Sequence, residues 1–181
     1  MRIIAGRAGG RSLASPETRE IRPTPDRVRE ALFSILGDIH DAVVVDGFSG
    51  TGALGCEALS RGAKVCYFIE RREEALELID ENLERIDARD QGIVLRGDFT
   101  KQLVMIDEDP DLWLLDPPYH KGLGQKALEE MVGAPCVSDQ ALVVLEQDLG
   151  EDVPEVDGFE LEDTREYGRT RVSFFRRVVQ Q

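Results

Sequence analysis

Between residues 41 and 147, short and almost continuously apolar runs alternate with stretches whose apolar positions recur every three or four residues. That alternation of periods predicts strands and helices in turn, as in a largely parallel α/β sheet. The apolar runs are 42–45, 64–69, 92–95, 112–115 and 141–145, and their continuity predicts strands covered on both faces. The clearest helix spans 72–87. There Ala75, Leu76, Ile79, Leu83 and Ile86 form one stripe, while Glu73, Glu77, Asp80, Glu84 and Asp87 occupy the rest of the surface. Past residue 145 the pattern changes: 159–164 and 170–178 flank Tyr167-Gly168-Arg169 and predict an antiparallel hairpin that finishes the sheet. With no repeats or long linkers, residues 1–181 are expected to form a single domain.

Residues 1–40 differ in character and read as an extension ahead of the sheet. Arg2-Ile3-Ile4 and Arg11-Ser12-Leu13 flank Gly6, Gly9 and Gly10, which suggests a short hairpin carrying arginines. A helix is expected after it, with Thr24 as N-cap, Pro25 in the first helical position and Asp26 near the positive end of the dipole. Val28, Ala31, Leu32, Ile35 and Leu36 supply its apolar face, which leaves Arg27 and Arg29 off that face and available to phosphate.

Charge sharpens this reading. The net charge of −14 is unfavourable for approaching a polyanion, but it is unevenly spread. Residues 1–30 carry +3, residues 164–181 carry +4, and residues 31–163 carry −21. The basic ends are therefore expected to face nucleic acid, with Arg2, Arg7, Arg11, Arg22, Arg27 and Arg29 as the main anchor and the group Arg169, Arg171, Arg176 and Arg177 as its rival. The three cysteines form no Cys-x-x-Cys pair, so neither a disulfide framework nor a metal site is expected, and they read as reduced thiols of a cytoplasmic protein. No apolar run approaches the length of a membrane span.

The chemistry begins at Val43-Val44-Val45-Asp46-Gly47-Phe48-Ser49-Gly50-Thr51-Gly52-Ala53-Leu54-Gly55, a strand, a glycine-rich turn and the start of a helix. Gly50, Gly52 and Gly55 satisfy the dinucleotide fingerprint, and Glu70 follows about twenty residues on, so an NAD-dependent enzyme is a competing reading. Asp46 argues against it. An acid beside the turn suits a cationic ligand better than a pyrophosphate, and S-adenosylmethionine carries both a sulfonium and an α-ammonium. In that reading Asp46 lies near the methionine part, Gly50 and Gly52 permit close backbone approach, Glu70 accepts the ribose hydroxyls, Asp98 and Phe99 meet the adenine, and Phe48 also contacts the cofactor. Asp116-Pro117-Pro118-Tyr119 closes the fourth strand. Asp116 and the Pro117 carbonyl are two acceptors able to bind the N–H groups of an exocyclic amine, while the Tyr119 ring stacks on its base. Pro118 and His120 would flank the substrate. Adenine-N6 and protein glutamine methylation share this amine logic, and a non-catalytic RNA-binding module would use the basic ends alone.

Together these segments resemble the small-subunit ribosomal RNA guanine-N2 methyltransferase family of the RsmD type over nearly the whole chain. The most specific are Arg22-Pro23-Thr24 and Asp26-Arg27-Val28-Arg29-Glu30-Ala31-Leu32-Phe33; Glu57-Ala58-Leu59-Ser60-Arg61-Gly62-Ala63, Asn82-Leu83 and Gly97-Asp98 extend the match. The resemblance implies a Rossmann-like class I methyltransferase fold, S-adenosylmethionine as cofactor and N2-methylguanine in 16S ribosomal RNA as product. It further implies Thr24 on the substrate side, a partly or fully assembled small subunit as partner, and a monomeric enzyme. Where members of that family tend to carry an apolar side chain, this chain has Gly47.

Overall fold

The computed structural model describes residues 1–16 and 24–178. Among the described residues seven strands form one sheet: β1 (Val43–Gly47), β2 (Val65–Glu70), β3 (Gly92–Arg96), β4 (Leu112–Leu115), β5 (Leu142–Asp148), β6 (Phe159–Tyr167) and β7 (Thr170–Arg177). Their order is β3-β2-β1-β4-β5-β7-β6. The first five are parallel, and β7 and β6 form the antiparallel ending. Chain direction across the sheet reverses beside β1, since β2 and β3 lie to one side and β4 and β5 to the other. A crevice must open where the segments leaving β1 and β4 part. In register, Gly47 stands beside Leu115, so Phe48 and Asp116 are the two residues that part there.

Side-chain alternation along the strands divides the core into two layers. Val44, Cys66, Phe68, Leu112, Leu114 and Val144 pack on one face against α1 (Asp26–Leu36), α2 (Ala53–Ser60) and α3 (Glu73–Arg85). Val43, Val45, Tyr67, Trp113 and Leu145 pack on the other, against α4 (Phe99–Gln102) and α5 (Leu123–Val132). The interior strands β1, β2 and β4 are buried throughout, as their continuous runs predict. β3 is not. It forms a sheet edge, and Ile93 is 38% exposed.

The N-terminal segment forms a tight antiparallel turn rather than two full strands. Arg2 bridges Ser12, Ile3 N–H donates to Arg11 O at 2.9 Å, and Leu13 N–H donates to Met1 O at 3.0 Å. Ile3, Ala8 and Leu13 enter the core beside α2. Glu57, fully buried on α2, fixes the turn by accepting the Ile4 N–H at 2.7 Å and the Ala5 N–H at 3.1 Å. Gly6 takes φ 82° so close to the Ser60 carbonyl that an added Cβ would stand 1.9 Å from its oxygen. Asn82 continues the anchoring: its Oδ1 accepts Ala14 N–H at 2.6 Å, and its amide donates to the Thr51 carbonyl at 2.9 Å.

Helix α1 departs from its sequence pattern at two points. Pro25, not Thr24, is the N-cap, and the Thr24 side chain makes no cap bond. The buried face is Val28, Arg29, Leu32 and Phe33, while Ile35 is 42% exposed. Arg29 is therefore not available to phosphate: its guanidinium is fully buried, donating to the Arg2 carbonyl and to Asp26 Oδ1 at 2.9 Å. Burial lowers its pKa from the ordinary arginine value, with Asp26 and then Glu57 opposing the shift. Its role is to join α1 to the N-terminal turn.

Candidate active site

A cleft of about 650 Å³ opens at the carboxyl ends of the parallel strands, within the size range of small-molecule sites. Asp46, Phe48, Gly50, Glu70, Asp98, Phe99, Asp116, Pro117, Pro118 and Tyr119 all line it, and so does Thr24. Apart from Thr24, which precedes α1, these residues converge because they end or follow strands of the same sheet.

The turn after β1 makes one half. Phe48 adopts φ 64°, an unusual conformation for a bulky residue, and so redirects the chain as it leaves β1. Gly50 and Gly52 follow at φ 55° and 74°. A Cβ on Gly52 would press on Ile79 and Phe68 at 3.1 and 3.2 Å. The Phe48 and Phe99 rings stack with centroids 5.0 Å apart. Phe99 also fills the space a side chain at residue 47 would take, since a Cβ on Gly47 would lie 2.7 Å from both the Phe99 ring and Leu115. The glycine is thus matched to its aromatic neighbour.

Two acids on this side stand in opposite electrostatic settings. Asp46 is 1% exposed and accepts the Gly55 N–H at 2.9 Å. Burial lifts its carboxyl to about 8; that N–H opposes the rise and the Glu70 charge adds to it. Burial also pushes Glu70 upward, but Arg72 and the backbone N–H groups of Arg72 and Arg71 outweigh it and hold the carboxyl below its ordinary value. Glu70 Oε2 accepts the Gly50 N–H at 2.9 Å, tying the end of β2 to the glycine turn. Asp98 caps α4 through Thr100, with Arg71 Nη1 4.0 Å away.

The other half surrounds Asp116. Thr24 Oγ1 lies 3.1 Å from Asp116 Oδ2 and 3.2 Å from Glu146 Oε2, so a single hydroxyl spans two carboxyl groups. Tyr119 donates its phenolic proton to Glu146 Oε1 at 2.7 Å. Burial, then the charges of Glu146 and Asp116, raise the phenol well above its ordinary pKa, so Tyr119 remains a neutral donor. The arrangement is a flat ring held by its hydroxyl beside a pair of acidic acceptors.

Residues 1–176 match the family described as Conserved hypothetical protein 95. The chain belongs to this family. Ribosomal RNA small subunit methyltransferase D of Escherichia coli strain K12 is 34% identical over 157 residues, which cover 86% of this chain and 79% of its own length. The solved structure of Escherichia coli yhhF superposes with a TM-score of 0.86 at 31% identity, covering 99% of each chain. An RNA methyltransferase of Salinibacter ruber, solved with S-adenosyl-L-homocysteine, shares the fold with a TM-score of 0.67 at 19% identity, covering 88% of this chain and 96% of its own. The fold of this family member is the Rossmann-like class I methyltransferase fold.

The expected basic anchor is dispersed by that fold. Arg7 donates to the Gln91 side chain, just ahead of β3, and Arg11 pairs with Asp87 at 2.7 Å beyond the end of α3. Both therefore stand at the amino-terminal edge of the parallel strands, roughly 15 Å of strand away from the cleft. Arg2 pairs with Asp26 at 3.6 Å, Arg27 is exposed on α1, and Arg22 lies outside the described residues. The C-terminal group divides too. Arg169, in the β6–β7 turn, reaches Asp148 at the carboxyl end of β5, 3.4 Å away. Arg176 and Arg177 bond at the opposite end, to Glu162 and to the Gly158 carbonyl. His120, at φ 58°, stands 3.7 Å from Asp148, and exposed Lys121 and Lys126 line the cleft.

Sequence reasoning missed Glu146, and with it Lys121, Lys126 and Thr170 as lining residues. The signal for Glu146 was present. It follows the apolar run ending at Leu145 just as Asp46, Glu70 and Asp116 follow theirs.

Proposed function

We propose that the protein methylates the exocyclic N2 of a guanine in 16S ribosomal RNA, with S-adenosylmethionine as methyl donor. One observation carries the reading: the Asp116–Tyr119 segment and the glycine turn leave neighbouring strands at adjacent positions, so an amine acceptor site opens directly onto the cofactor half of one cleft. The name of the Escherichia coli relative supports the ribosomal RNA substrate, and the S-adenosylhomocysteine complex of the Salinibacter ruber protein supports the cofactor. When bound, S-adenosylmethionine supplies an electrophilic methyl on a sulfonium. The residues present fit it: Glu70 would hold the ribose hydroxyls, Phe48, Asp98 and Phe99 the adenine side, and Asp46 the cationic methionine part.

The chain's own residues do the positioning. Asp116 and the Pro117 carbonyl accept the two N–H groups of a flipped-out guanine, and the Tyr119 ring fixes the base plane. The nitrogen lone pair is thereby directed at the methyl carbon. Asp116 is also placed to take the proton that the nitrogen would release once methylated. We place the substrate in a partly or fully assembled small subunit, and the enzyme as a cytoplasmic monomer. No helix among the described residues is long and apolar enough to cross a membrane.

Mass-spectrometric mapping of N2-methylguanine in 16S ribosomal RNA, from cells with and without the gene, tests the reading. Loss of one N2-methylguanine is expected. An unchanged guanine profile with loss of an N6-methyladenine would replace the guanine with its rival.

A further inference from the structure

We infer that Glu146 is a specificity-determining residue that reads the N1–H of the target guanine and rejects bases lacking it. This rests on the proposed guanine-N2 reaction and asks what selects the base. Guanine presents N1–H and the N2 amine side by side, two donors on one edge, whereas adenine presents an acceptor at N1 next to its amine. A site that reads guanine therefore needs a second acceptor beside the one that holds the amine. Asp116 and the Pro117 carbonyl are assigned to the amine.

Glu146 is the second acidic side chain of the same half-cleft, and it is built into place. It lies at the carboxyl end of β5, next to β4, and is 6% exposed. Thr24 spans from it to Asp116, and the Tyr119 phenol is fixed on its Oε1. A carboxylate offers about four lone-pair positions, so it can hold several donors at once. The ring that stacks the base is thus held by the same carboxylate that would read the base's edge. An adenine in this position would set its N1 lone pair against the carboxylate, with no proton between them. Desolvated mispairing of that kind discriminates strongly, because buried polar groups on both sides go unpaired.

The test uses 2-aminopurine, which keeps the N2 amine and loses the N1–H. Small subunits are reconstituted with RNA carrying guanine or 2-aminopurine at the one position that mapping identifies, and single-turnover methyl transfer is measured. Wild-type enzyme should prefer guanine on the order of 100-fold or more, and Glu146→Gln should shrink that ratio by roughly tenfold or more. Calorimetric binding of S-adenosylmethionine checks that the variant is folded. Tyr119→Phe, which removes the phenol but keeps Glu146, should slow transfer to both bases and leave the ratio near the wild-type value. Equal wild-type rates on the two bases would overturn the inference without any variant, and so would a Tyr119→Phe ratio that falls as far as that of Glu146→Gln. Failure of the guanine-N2 reaction itself would look different, as no transfer to the guanine substrate at all.

Discussion

Asp46 shows how one buried residue ties binding to pH. Its carboxyl, lifted to about 8, is largely protonated at neutral pH in the free enzyme. A cationic ligand beside it favours the carboxylate, so binding below that value must release a proton, and affinity should rise from pH 6 towards 8 and level off above. Calorimetry at pH 7 in two buffers of different ionisation enthalpy should give different binding heats for S-adenosylmethionine. Equal heats would show that Asp46 is already ionised. At Asp116 and Tyr119 the expectation concerns rate: either alanine variant should cut single-turnover transfer by 100-fold or more, on the order of 3 kcal/mol, with cofactor affinity nearly intact. Near-normal transfer would remove the residue from the base site. Much of this site was legible because acids that end strands of one sheet must converge. The residue pattern offered Thr24 as a capping residue and only the family resemblance put it on the substrate side, since nothing in a linear pattern says that a hydroxyl 92 residues away in sequence faces Asp116.

At the scale of elements, hydrophobic period located the seven strands of the described sheet and the helices α1 and α3, because burial of whole faces is what the period records; α2 was read from the glycine turn before it, and α5 was not placed. It failed where polar groups are buried in pairs. Arg29 lies inward on α1, where its Nη2 donates to the Arg2 carbonyl and to Asp26 while Nε and Nη1 find no partner among the described residues, and Ile35 faces solvent. Glu57 is the comparable device on α2, accepting two backbone N–H groups of the N-terminal turn and the Arg61 guanidinium at 2.7 Å. Glu57→Ala would leave these donors unpaired, and urea unfolding should show a loss of about 3–5 kcal/mol. A loss below about 1 kcal/mol would mean that Ile3, Ala8 and Leu13 hold the turn by apolar contact alone.

For the whole molecule, charge counted along the chain suggested two basic ends, but the fold redistributes them. At the cleft, instead, Lys121 and Lys126 from the stretch leading into α5 line the walls, and Arg169 adjoins the lining residue Thr170, on a body whose central residues carry −21. Replacing Lys121 and Arg169 with alanine should weaken binding of small-subunit RNA and make the slope of log K against log salt shallower by roughly one unit per lost phosphate contact. The Arg7 and Arg11 double variant should leave that slope unchanged. The reverse result would return the docking face to the N-terminal turn.

The bridge from Thr24 to Glu146 also has a kinetic consequence. These two residues lie 122 positions apart, so the hydroxyl emerges early from the ribosome that makes the chain, while its partner emerges only after four of the seven strands have been translated. Contacts of such sequence separation bear a large loop-closure cost and tend to form late. Competence to hold a base should therefore arrive in one late step of folding, and a nascent or truncated chain ending before β5 would carry Thr24, Asp116 and Tyr119 without the carboxylate that joins them.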